Sequence, residues 1–274
     1  MSLGGSSWGC LLVLCLLLGA CNKVKPATPP PAAVHNTTFT PLPPLDASSE
    51  GPVVVSCQGG AARSLEPRLD DFVDGDPFIV AADGRDGRWQ ISNDGTGEQI
   101  PAQTSRLRPN LVTFDQTERF VLHSTGSQFT GWGAAVGFDF QRDGSALCAY
   151  NLALYQGIEF TARGAGEIRI EISVPETLSV ENGGSCAGKG CDNRHGFPLQ
   201  LSPEWQRYRV NFNQLAQESG WGQPASFTAE RVLQLRFRAI AQPDFDLWLA
   251  DVRLFPDLSL IDASIDASAN QDGG

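Results

Sequence analysis

Histidine is scarce in this chain: there are three in 274 residues, His35, His123 and His195, so imidazole-based acid–base or metal chemistry has few places to stand. His-Glu-x-x-His does not occur, and Gly-x-Ser-x-Gly occurs only as Gly5-Ser6-Ser7-Trp8-Gly9 ahead of the apolar run at 10–20, so past residue 20 the chain has neither the zinc-peptidase helix nor the nucleophile elbow of hydrolases. Basic residues are in deficit, with 20 Lys+Arg against 31 Asp+Glu and a net charge of −11. That balance repels phosphate backbones, and no nucleic acid is expected as a partner. No apolar stripe at helical spacing extends beyond a turn or two, the best being Asn213 to Ser219. The first twenty residues carry no charged side chain.

What they do carry is an apolar run from Cys10 to Ala20, closing in Leu18-Gly19-Ala20-Cys21. Eleven residues suit the core of a signal peptide and fall short of the roughly twenty that span a bilayer. Small residues followed by cysteine resemble a bacterial lipobox. The resemblance implies removal of residues 1–20 and lipidation of Cys21, whose acyl chains would anchor the protein far more firmly than one myristoyl chain. Asn22 does not resemble an inner-membrane retention aspartate, so the outer membrane is the expected address. An ordinary secretory signal with a chance cysteine is the alternative, and either way the chain is exported.

Seven prolines fall between residues 26 and 44, a density that favours extended polyproline II over a packed core. Residues 21–52 therefore read as a semi-rigid tether. At the other end, 257–274 repeats Ile-Asp-Ala-Ser at 261–264 and 265–268 and reads as a polar tail outside any core.

Between them, residues 53–256 alternate with period two. Ile168, Ile170, Ile172 and Val174 interleave with Glu167, Arg169, Glu171 and Ser173; Tyr208, Val210 and Phe212 with Arg207, Arg209 and Asn211; Leu233, Leu235 and Phe237 with Gln234, Arg236 and Arg238. Val136, Phe138, Phe140 and Ile158, Phe160, Ala162 add two more runs. Short half-buried strands parted by Gly and Pro clusters predict an all-β fold, an antiparallel sandwich or jelly roll forming one domain. A monomer is expected.

Four cysteines remain once the leader and Cys21 are set aside, and an exported protein meets an oxidising compartment. Cys186 and Cys191 flank a short glycine-rich loop and should pair; by elimination Cys57 would meet Cys148. A zinc site from Cys186, Cys191, Asp192 and His195 is the rival reading of that segment. Of the tryptophans past Trp8, those at 89, 205 and 248 are expected in or near the core, Trp248 because it alternates with Ala250, Val252 and Leu254. Trp132 and Trp221, each between glycines, are the candidates for exposed rings. Arg169 with Glu171, and Arg236 with Arg238, share the face opposite their apolar neighbours. That face is either solvated surface or a concave ligand face.

The segment Leu69-Asp70-Asp71-Phe72-Val73-Asp74-Gly75-Asp76, followed by Gly84-Arg85-Asp86-Gly87-Arg88-Trp89, resembles the opening of galactose-binding-like jelly-roll modules, family 11 carbohydrate-binding modules among them. Gly131-Trp132-Gly133-Ala134, Tyr150-Asn151-Leu152, Pro203-Glu204-Trp205-Gln206, Gly220-Trp221-Gly222 and Asp246-Leu247-Trp248-Leu249-Ala250-Asp251-Val252 continue the resemblance in order. It spans residues 69–255. The resemblance implies non-catalytic polysaccharide binding on one sheet face, with rings against sugar faces and polar groups on hydroxyls. It also implies a structural calcium ion. Where such modules often have Asp-Phe-Glu-Asp and a closing Asp-Asp, this chain has Asp71-Phe72-Val73-Asp74 and Ala250-Asp251, which leaves Asp70, Asp74, Asp76 and Asp251 as its calcium ligands, or else as turn formers.

Two other functions stay open at this level. One is a surface protein that binds another protein or serves the envelope structurally. The other is a carbohydrate-active hydrolase or lyase, for which Glu167 and Glu171 on one strand face are about 13 Å apart by backbone rise, wider than glycosidase carboxylates.

Overall fold

The structure is a computed structural model that describes residues 65–114, 116–240 and 244–256. Cys21, Cys57, the proline-rich segment and the Ile-Asp-Ala-Ser repeat lie outside the described residues. In chain order the strands are β1 (Arg68–Asp70), β2 (Trp89–Asn93), β3 (Glu98–Ile100), β4 (Asn110–Phe114), β5 (Thr117–Ser127), β6 (Ala134–Asp139) and β7 (Arg142–Asp143). They continue with β8 (Ala146–Leu147), β9 (Tyr155–Ala165), β10 (Glu167–Ser173), β11 (His195–Gln200), β12 (Gln206–Asn211), β13 (Gln234–Ala239) and β14 (Asp244–Pro256).

One sheet runs β12-β9-β14-β5-β3, with β1 also on β14 and β4 also on β5; the other runs β11-β10-β13-β6-β2. The pairings between these strands are antiparallel. From β9 onward the chain passes back and forth between the sheets, so the fold is an antiparallel β-sandwich.

The inward residues are those the alternation marks. Ile168, Ile170 and Ile172 of β10 are fully buried, as are Phe160 of β9 and Leu249 of β14. Phe160 meets Phe237 of the opposite sheet edge to face at 5.0 Å, and Trp89 packs edge-on against Phe138 at 4.9 Å. Trp89 is in the core because its one polar atom is satisfied there: the indole Nε1 donates to Asp70 at 2.6 Å. Tyr208 stacks on Phe160 from the edge strand β12.

Two expectations fail on identifiable grounds. β10 is not half-buried. Its outward residues Arg169, Glu171 and Ser173 are buried as well, because loops roof that face of the sheet. Trp248 does not share a face with Val252 and Leu254. β14 pairs Ala250 with Thr161 and Arg253 with Glu159, three steps on one strand against two on the other. That is a β-bulge, with Asp251 at φ 52°, and it reverses the parity of everything downstream. Leu247 and Leu249 point inward instead, and Trp248 lies outward, stacked on His123 at 3.6 Å with the Arg163 guanidinium 4.8 Å over its ring. The candidate helix at 213–219 reduces to a single 3₁₀ turn, Phe212–Gln214.

Candidate binding groove

Strand register lays out the outward face of the five-stranded sheet as three rows. Ser92, Ala135, Arg238, Arg169 and Pro198 form the first; Gln90, Gly137, Arg236, Glu171 and Gly196 the second; Asp139, Gln234 and Ser173 the third. The middle row has a glycine on either side of the Arg236–Glu171 pair. A Cβ on Gly196 would come within 2.7 Å of Arg169 Nε, and one on Gly137 within 2.5 Å of Arg236 Cβ. The charged side chains can lie flat only because these two positions are bare.

Glu171 is the centre of that floor. Its Oε2 accepts from Arg236 Nε, its Oε1 accepts from Arg238 Nε at 2.8 Å, and Arg169 Nε lies 3.5 Å away. Arg238 reaches further, donating to Glu218 and, from Nη1, to the Trp132 carbonyl at 3.0 Å. Arg169 donates from Nη2 to the carbonyl of Ala216. Burial by itself would raise the Glu171 carboxyl, but the guanidinium groups of Arg236 and Arg238 outweigh it and hold it below its ordinary range. Burial likewise pulls Arg238 down, and Glu171 and Glu218 together more than restore it.

Both glycine-flanked tryptophans stand over this floor. Trp132 is 38% and Trp221 48% exposed. Arg236 packs its guanidinium 5.3 Å from the Trp132 ring centre. Trp132 is placed by Asp94, whose Oδ2 accepts from Gly133 N at 2.7 Å, and Gly133 sits at φ 99°, a conformation open to glycine. Trp221 is placed by the buried Asn193. Asn193 Oδ1 accepts from Glu218 N at 2.9 Å, and its Nδ2 donates to the carbonyls of Glu218 and Trp221 at 2.9 and 2.7 Å. The indole Nε1 of Trp221 donates to Glu218 Oε2 at 3.1 Å. Glu218 thus joins Arg238, beneath one tryptophan, to the ring of the other.

The wall beside Trp221 is the loop closed by the Cys186–Cys191 disulfide, with Cα atoms 5.7 Å apart. Gln223 fastens it: its side chain donates to Ala187 O and Lys189 O at 2.8 Å each, and its amide donates to Gly190 O at 2.8 Å. At the far end of the floor Asp139 accepts from Gln90, Arg142 and Gln234. Together these elements enclose an open groove of about 1270 Å³.

Trp132, Trp221, Glu171, Arg236 and Arg238 all line the groove, whereas Arg169 lies beneath it. The face they share is therefore not plain solvated surface: Arg169, Glu171 and Arg238 are buried and spend their polar atoms on one another. They brace the groove more than they face into it. Sequence reasoning missed Asn193, Arg194, Glu218 and Gln223. The signal within reach was the string Cys191-Asp192-Asn193-Arg194-His195, polar residues packed against a disulfide loop.

The zinc alternative is excluded by the disulfide, which consumes both thiolates, and His195 donates from Nε2 to the Ala225 carbonyl at 2.9 Å. Cys148 is disulfide-bonded too; Cys57, its expected partner, is outside the described residues. The four aspartates do not fit a calcium ion as they stand. Asp70 accepts from Phe72 N at 2.6 Å and from Trp89, Asp74 and Asp76 each cap an amide two residues on, and Asp251 pairs with Arg253. No group of three or more acidic, His or Cys side chains able to hold a metal occurs among the described residues. Burial pushes the Asp70 carboxyl up to about 7.

No protein-family model matches this chain, and no curated protein matches it. Solved structures do. The chain is similar to a family 11 carbohydrate-binding module of a cellulosomal cellulase of Clostridium thermocellum, at 13% identity over 70% of this chain and 95% of that one, with a TM-score of 0.48. A family 11 module from the same organism, in complex with a β-1,3-1,4-mixed-linked tetrasaccharide, matches at 14% identity over 70% and 95% of the two chains, TM-score 0.46. A family 30 carbohydrate binding module matches at 16% identity over 70% and 88%, TM-score 0.45.

Proposed function

We propose that this chain is a non-catalytic polysaccharide-recognition protein, exported and held at the outer membrane through a lipidated Cys21, with the groove as its binding face. The observation that carries the reading is the convergence of Trp132 and Trp221. They are 89 positions apart in sequence, yet both stand partly exposed over one floor of polar side chains. Rings that offer a flat apolar face beside hydrogen-bonding groups suit sugars, which have an apolar face and a hydroxylated edge. A groove open along the sheet suits a polymer.

The electrostatics of the floor support a role in binding. Glu171 is held ionised by its arginines and so lacks the proton a general acid would give. Asp139 is likewise engaged by Arg142 and two glutamines.

Affinity electrophoresis of the full chain through gels containing β-glucan, xylan, mannan, polygalacturonate or peptidoglycan tests the reading. Retardation by at least one polymer, reduced tenfold or more in Trp132→Ala and Trp221→Ala with unchanged thermal unfolding, is the expected result. Unretarded migration in every gel would transfer the groove to a protein partner or a structural envelope role.

A further inference from the structure

Arg194 lines the groove and has no counter-ion. Among the described residues no ion pair within 4 Å and no hydrogen bond reaches its guanidinium, and its Nε is buried without a partner. Every carboxylate close to it is engaged. Glu171 already serves Arg169, Arg236 and Arg238; Glu218 serves Arg238 and Trp221; Asp192, on the wall, turns its Oδ1 toward the Ser179 amide. Glu181, on the rim, is exposed, and Asp139 at the far end is satisfied by Arg142. The groove is not cationic in sum, its lining carrying Arg142, Arg194, Arg236 and Arg238 against Asp139, Glu171, Glu181, Asp192 and Glu218; what stands out among these is one guanidinium, that of Arg194, with no contact partner.

Arg236 is also only half used. Its bond to Glu171 runs through Nε, and among the described residues no other hydrogen bond is made by its guanidinium. An unpaired guanidinium beneath two exposed rings, in a chain whose net charge is −11, differs from a generic polyanion-binding surface: it offers one directed contact to an anion and no broad field of positive charge. Leaving a guanidinium unpaired in a partly desolvated groove is costly, and an incoming anion with two oxygens offers it the fork geometry it prefers. Burial, and then repulsion from Arg236, lowers the Arg194 guanidinium to about 9, as a cation lacking its partner should be.

We propose that the groove binds an acidic polysaccharide, with the carboxylate or sulfate of one sugar residue received by Arg194 and Arg236 while Trp132 and Trp221 take sugar faces. The inference rests on the polysaccharide reading above and names its ligand class.

Full-length chain is run in affinity gels containing polygalacturonate or alginate for carboxylate, dextran sulfate for sulfate, neutral β-glucan and mannan, and polyglutamate as a charged polymer without sugar. Retardation by an acidic polysaccharide at least tenfold stronger than by the neutral ones, lost in Arg194→Gln and largely retained in Arg194→Lys, is expected. Whether uronate or sulfate gels retard more tells which anion is received. Equal retardation by β-glucan and polygalacturonate with Arg194→Gln unaffected overturns this inference and leaves the polysaccharide reading standing; equal retardation by polyglutamate also overturns it. No retardation in any gel overturns both. Should Arg194→Gln fail to fold, competition on the unmodified protein decides: free galacturonate displacing the polymer no better than galactose sinks the proposal.

Discussion

At the residue scale the positions that resisted reading are those whose chemistry is set by distant neighbours. Trp132 and Trp221 were legible because flanking glycines mark turns and a large ring in a turn has little core to enter. Asn193 was not, since nothing local announces that its amide will clamp a turn 25 residues away at Glu218. Asp70 was legible as an acidic group, with metal ligand and turn former as the two readings; in the fold it accepts from the Phe72 amide and from the Trp89 indole. Its titration has a measurable sign. Because its carboxyl is raised to about 7 in the folded chain from an ordinary 3.8, the folded state holds a proton that the unfolded state has released. That contribution is full below pH 4 and disappears as pH rises through 7. Stability should therefore fall between pH 4 and pH 7, by up to about 4 kcal/mol for a three-unit shift, read as a falling thermal midpoint. In Asp70→Asn this part of the pH dependence should vanish.

At the element scale, period-two alternation located three of the five strands under the groove, β6, β10 and β13, because β-sheet side chains alternate until a bulge intervenes; β2 and β11 carry no such run and were not located. The bulge at Asp251 is where parity counting broke, placing Trp248 on the wrong face. A single aspartate at positive φ does not signal itself in a string of Asp-Val-Arg. Outward burial of β10 was equally illegible, since it depends on loops that return over the sheet from 180–194 and 216–223. The first loop is closed on itself by the Cys186–Cys191 bridge, and Gln223 of the second fastens to it through Ala187, Lys189 and Gly190. Reduction, or Cys186→Ser with Cys191→Ser, should free the wall beside Trp221 and weaken polymer retardation severalfold, while the loop-entropy cost to stability is about 2 kcal/mol for so short a ring. Retardation unchanged under reducing conditions would mean that Asn193 alone holds Trp221 in place.

At the scale of the whole molecule, composition and alternation sufficed for an all-β sandwich, while the apolar leader ending in Cys21 is the ground on which an exported, lipidated chain is proposed. The anchor is tested apart from the sandwich. Cells expressing the full chain should incorporate labelled palmitate into it, and Cys21→Ser should abolish the label and move the protein from the membrane fraction to the soluble one. Label retained in Cys21→Ser would place the lipid elsewhere or remove it from the account.

The first and last described strands are partners: β1 lies antiparallel on β14, Arg68 faces Arg253, and Leu254 N donates to Pro67 O at 2.7 Å. The polypeptide thus enters and leaves the sandwich at neighbouring points. A unit whose two ends meet can be spliced into a surface loop of an unrelated host, or cut out of one, without dragging either flank across the structure. The grooved sandwich is in that sense a portable cassette, free to travel between proteins independently of whatever tether or anchor happens to carry it.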